Sequence, residues 1–93
     1  MVRIASQARR DLTACLAHIA RDNPLAATLL ADRVLALIAD LAEGGFDGPE
    51  QQLRTGQRVR SWPLPPLRVY YRRTPKALEI LRIYHQARRP IVR

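Results

Sequence analysis

The sequence predicts an α+β fold in which an antiparallel helical hairpin packs on a mostly antiparallel sheet, in the order β-α-α-β-β-β. Three observations lead there: two segments whose apolar residues recur at spacings of three and four, an Asn-Pro break between them, and a change to period two from Gln57 onward. Ninety-three residues suit one domain covering positions 1–93. A chain this short buries only about 60–65% of its unfolded surface, so a partner that covers apolar area would add materially to its stability.

Val2 to Ile4 is a short apolar opening that suits a strand. Ser6 is a suitable N-cap for the first helix, whose apolar positions are Ala8, Leu12, Cys15, Leu16 and Ile19. Asp22, Asn23 and Pro24 interrupt that pattern. Asn23 can cap a second helix, and Pro24 fits its first position, where a missing amide hydrogen costs nothing. Ala27, Leu30, Val34, Leu37, Ile38 and Leu41 then form one apolar stripe, with Arg33, Asp40 and Glu43 off it. Gly44 and Gly45 end the helix. A connection this short makes the two helices antiparallel neighbours, and their apolar faces require a sheet to cover.

Phe46 to Gly56 has no sustained period and reads as a loop crossing to the sheet. Val59, Ser61 and Pro63 then alternate with Arg58, Arg60 and Trp62, and Leu67, Val69 and Tyr71 alternate with Arg68, Tyr70 and Arg72. Pro63, Pro65 and Pro66 cannot donate to a ladder, which confines the first of these strands to about Gln57–Trp62. Thr74, Pro75 and Lys76 form the next turn. Ala77 to Tyr84 is apolar on both faces, Leu78 and Ile80 on one and Leu81 and Ile83 on the other, as in a strand with neighbours on both sides.

An apolar fraction of 47% is that of a folded globular chain. No stretch approaches the roughly 20 apolar residues that span a bilayer. Arg3, Ser6, Gln7, Arg9 and Arg10 break any secretory signal, so a cytoplasmic location is expected. Cys15 is the only cysteine, which excludes an internal disulfide and reads as a small core residue. His18 and His85, far apart among scattered acids, have no metal-ligand spacing, and no cofactor-binding loop is present.

Charge is divided unevenly. Residues 1–50 hold five arginines against seven acids, a net of −2, whereas residues 51–93 hold eleven basic residues against Glu79 alone, a net of +10. Such a field favours a polyanion, either nucleic acid or an acidic protein segment. Its carriers are Arg58 and Arg60, Arg68 and Arg72, then Arg82, His85, Arg88 and Arg89. If the strands pair as sequential hairpins, several of these share the sheet face opposite the helices, with Tyr70 placed to stack on a base. Arginines on a wet sheet face also serve solubility alone, so the one-acid imbalance is what favours a binding surface. His85 has the chemistry of a general base, although a lone histidine at a strand end is more often structural. Trp62 reads as packing under a loop.

RDNPLAATLLADRV at 21–34, LRVYYRR at 67–73 and LEILRIYHQARRP at 78–90, with Asp11-Leu12 in the first helix, resemble the ParE/RelE superfamily of toxins from type II toxin–antitoxin modules. The likeness covers nearly the whole chain, including the Asn-Pro break and a last strand ending at His85. It implies a cognate antitoxin that wraps the toxin and carries the DNA-binding domain, so operator DNA is met only through that partner. No membrane and no cofactor are implied.

The superfamily divides by target. ParE-like members resemble inhibitors of DNA gyrase, and RelE-like members cut messenger RNA on the ribosome. Glu50, Arg68 and His85 fall where one ribonuclease branch places its acid, arginine and histidine, and Arg58 and Arg60 resemble its phosphate-binding bases. The C-terminal tyrosine of that branch is missing here, since Gln86 follows His85 and nothing after it is aromatic. The HQARRP tail is closer to ParE-type sequences, which points to gyrase and assigns no residue a catalytic role. An ordinary nucleic-acid-binding module without an antitoxin is the third alternative.

Overall fold

The computed structural model describes residues 1–85. Its elements are β1 (Val2–Ile4), α1 (Ser6–Asp22), α2 (Pro24–Glu43), β2 (Glu50–Gln52), β3 (Arg58–Leu64), β4 (Leu67–Arg73) and β5 (Leu78–His85). The strands form one sheet in the order β1-β5-β4-β3-β2, antiparallel except for the parallel pair β1 and β5. Among the described residues no helix is long and apolar enough to cross a membrane.

The helical hairpin forms for the expected reasons. Asn23 Oδ1 accepts from the Ala26 amide at 3.0 Å, with Pro24 opening α2. Its C-terminal end is taken over by Gly44 at φ +84°, a left-handed backbone that favours glycine. Ala27, Leu30, Val34, Leu37, Ile38 and Leu41 are all buried, the same six positions as the predicted stripe. All but Ala27 cluster with Leu67, Val69, Tyr71, Leu78, Ile80 and Ile83 of the sheet and with Ala8 and Cys15 from α1. Ser6 does not cap α1: it is the first helical residue, and Ala5 takes the cap position without a side-chain bond.

Three strand assignments need correction. The segment read as a loop contains β2, which pairs Glu50 with Arg60 and Gln52 with Arg58. Its three polar residues form a strand only because β3 offers an edge, so no alternation of their own announced it. Next, β3 runs through Pro63 to Leu64. Ser61 N donates outward to Pro49 O, and Pro63, two residues on, points its missing donor the same way, past the end of β2. Finally, Tyr70 opposes Arg82 while Tyr71 opposes Ile80, so Leu81 is an extra residue in β5. That bulge reverses the parity beyond it and turns Ile83 into the helix-side core, where the sequence pattern placed it on the opposite face.

Candidate functional site

The arginines divide between the two faces of the sheet. Arg68, Tyr70 and Arg72 alternate with the buried core residues Val69 and Tyr71, and so lie on the face away from the helices, as expected. Arg60 lies opposite Tyr71, and Arg58 shares its parity, so both are on the helix side, contrary to the single basic face that simple alternation suggests. The period of two was read correctly in each strand; the register between β3 and β4 decides which phase meets which, and a single chain does not display it.

On the far face, Tyr70 packs with Leu53 and Val59, flanked by Leu81 and Tyr84, and this burial removes it from the base-stacking position expected of it. Burial pushes the Tyr70 hydroxyl's pKa up against the opposing pull of Arg68. Arg68 donates to Ser61 Oγ at 2.7 Å, and the Ser61 hydroxyl in turn donates to Gln51 Oε1 at 2.7 Å. Its guanidinium is therefore oriented by a neutral oxygen and keeps its full positive field. Arg72, in contrast, sends Nε and Nη2 to one oxygen of Glu79 at 2.8 and 2.6 Å. Arg82 stacks over the Tyr84 ring at 5.4 Å.

Arg82 is chiefly a structural residue. Past Ile4 the chain turns into α1, leaving β5 beyond Ile80 without a neighbouring strand on that side. Asp11 of α1 fills the gap. Its Oδ2 accepts from Arg82 Nε at 2.7 Å and from the Ile83 amide at 3.1 Å, and Oδ1 accepts from Arg82 Nη2 at 3.1 Å. Burial opposes ionisation of Asp11, but the bonds from Arg82, Gln7 and Ile83 outweigh it and hold the carboxyl below its ordinary pKa. The same bond to Asp11 raises the pKa of Arg82. Beside this latch, Gln7, Arg10, Cys15 and His85 line a cleft of about 270 Å³.

Glu50, Arg68 and His85 do not converge. Arg68 is on the far face, whereas His85 opposes Leu67 and Glu50 opposes Arg60, both on the helix side. Glu50 and His85 are also three strands apart, about 14 Å across the sheet before any offset along it. An acid, a cation and a base acting on one phosphodiester need hydrogen-bond reach of a common substrate, and this trio lacks it. Among the described residues no group of His, Cys, Asp or Glu gathers as a metal site. Arg88 and Arg89 lie outside the described residues.

Sequence comparison agrees with this architecture. The profile of the family described as "ParE toxin of type II toxin-antitoxin system, parDE" matches residues 2–90. The chain belongs to the ParE toxin family. A solved structure described as the chromosomal ParDE TA system from P. aeruginosa superposes with a TM-score of 0.74 at 21% identity, covering 90% of this chain and 92% of that one, a likeness of fold. No curated protein matches the sequence.

Within this ParE-family chain, sequence reasoning missed the residues that hold the loop before β2. Tyr71 Oη donates to Asp47 Oδ1 at 2.9 Å and accepts from the Gly48 amide at 2.7 Å. Arg73 Nε adds a bond to Asp47 at 2.8 Å, which is the main reason that carboxyl titrates below its usual range. Burial, with the Asp47 bond opposed by the Gly48 amide, leaves the Tyr71 hydroxyl with a raised pKa. A Cβ on Gly48 would sit 1.7 Å from Ser61 O, so only glycine fits there. Phe46 packs edge-on against Trp62 with ring centroids 4.8 Å apart, the role expected of that tryptophan. The Gly48-Pro49 pair was the one local sign of this tight passage.

Proposed function

We propose that this chain is the toxin of a toxin–antitoxin pair and acts by inhibiting DNA gyrase, as ParE-like proteins do. Membership of the ParE family carries the reading. Two structural facts support it over a ribosome-dependent nuclease: the separation of Glu50, Arg68 and His85, and the field-exposed Arg68 on a face with Tyr70 and Tyr84. Target contact is assigned to Arg68 and Arg72, extended by His85, Arg88 and Arg89. Arg82 contributes charge while holding α1. Arg58 and Arg60 contribute from the opposite side of the sheet.

A cognate antitoxin masks the protein, in keeping with the two-component system named for its structural neighbour. The pair works in the cytoplasm, and any contact with operator DNA runs through the antitoxin. The test is a gyrase supercoiling assay run beside a translating extract probed for cleaved message. Blocked supercoiling with intact message is the expected outcome; cleaved message with unimpaired gyrase would overturn it.

A further inference from the structure

On the helix side of the sheet, Arg58, Arg60 and Arg73 surround a cleft of about 340 Å³ that also holds Asp47 and Glu50, with Val59 and Arg72 of the same strands completing its lining. Three cations face two acids on this side, since the Arg72 guanidinium is held by Glu79 on the far face, and the lining keeps an excess of positive charge. The two acids are held differently. Asp47 is fixed by Tyr71 and Arg73. Glu50 has only Arg58, at 2.9 Å, and both side chains are exposed, by 50% and 76%. Exposed pairs of this kind exchange readily, because each partner regains most of its hydration on opening. Arg60 donates to a neutral acceptor, Gly48 O, at 3.0 Å, so it holds a positive charge ready at the cleft's inner wall.

We infer that this cleft binds an acidic peptide segment of a protein partner, one carboxylate displacing Glu50 from Arg58 while another engages Arg60. Two features select carboxylates over a nucleic-acid backbone. The cleft's arginines already grip carboxylates in their own chain, at Glu50 and Asp47. Among the described residues no aromatic ring lines the cleft to stack a base, whereas the partly exposed Tyr84 is on the other face. β2 is a three-residue strand at the sheet's edge, and among the described residues no strand pairs with its outer side, the kind of edge an extended segment joins. The inference rests on the antitoxin reading only for which partner supplies the segment, and it stands or falls separately from gyrase inhibition.

The test is titration of the full chain with a hexaglutamate peptide and, separately, with an oligothymidylate of equal charge at ~0.15 M salt, where long-range attraction is screened. Binding is read by calorimetry and by the arginine Nε–H resonances. The peptide is expected to shift the signals of Arg58 and Arg60. Arg58→Ala with Arg60→Ala should weaken peptide binding by about tenfold or more, whereas Arg9→Ala with Arg21→Ala, the same change in net charge on α1, should leave it within about twofold. Glu50→Gln, which removes the internal competitor without disturbing the fold, should tighten binding about two- to fivefold. Equal losses from the two double variants, preference for the oligonucleotide at these arginines, or weaker binding by Glu50→Gln would each overturn the proposal.

Discussion

Replacing Asp11 with alanine probes the attachment of α1 to the uncovered edge of β5. The Asp11 side chain is only 10% exposed and its partner Arg82 29%, so neither is a freely solvated surface ion. Truncation removes charge-assisted hydrogen bonds worth about 1.5–3 kcal/mol and leaves the Ile83 amide without its acceptor, at about 1 kcal/mol more. Partial rehydration of Arg82 returns some of this, and the net loss comes to about 3 kcal/mol. For a domain of this size that lowers Tm by roughly 12–24 °C. Thermal and urea unfolding of wild type, Asp11→Ala and an Arg58→Ala control would measure it. The control removes an exposed pair and should cost under about 0.5 kcal/mol. A loss at Asp11 no larger than the control's would refute the latch.

The pH dependence carries a sign of its own. Because the folded-state pKa of Asp11 lies below its ordinary value of 3.8, the ionised form favours the fold. Its contribution is therefore full above 3.8 and disappears as pH falls through the lowered value. The gap between wild type and Asp11→Ala should be constant near neutrality and close in acid.

Leu41→Ala, at a fully buried position of α2, should cost about 2–5 kcal/mol in chemical denaturation, and a loss near zero would contradict the helix register. Gly48→Ala drives a methyl group into Ser61 O and should cost about 2–3 kcal/mol by the same measurement. Tyr71→Phe orphans the Gly48 amide and should cost about 1–3 kcal/mol. Since burial holds the Tyr71 hydroxyl above its ordinary pKa of 10.0, its stabilisation is present below that value and lost as pH rises through the raised one, so alkaline destabilisation should be smaller in Tyr71→Phe.

What the sequence made legible follows from interactions local in the chain. The α2 stripe and the Asn23 cap depend on residues three or four apart, and both stand in the structure as read. The far-face placement of Arg68, Tyr70 and Arg72 needed only the period of one strand. Less accessible were features set by pairing across the fold. The β5 bulge is defined by β4, and β2 by β3. Asp11 meets Arg82 from 71 residues away, so a residue that reads as helix surface and another that reads as binding surface turn out to fasten each other. The same register places Arg58 and Arg60 beside Glu50 on the helix side, away from Arg68.

Arg82→Glu would break the Asp11 latch as well as the charge surface, so the binding test belongs at Arg68 and Arg72. The decisive measurement is gyrase supercoiling in the presence of wild-type chain and of Arg68→Glu with Arg72→Glu, each shown by circular dichroism to be folded. Inhibition by the wild type that is lost in the double variant is the predicted result. Inhibition undiminished by the two substitutions would contradict the proposed surface, and a folded wild type that leaves supercoiling untouched would contradict gyrase as the target.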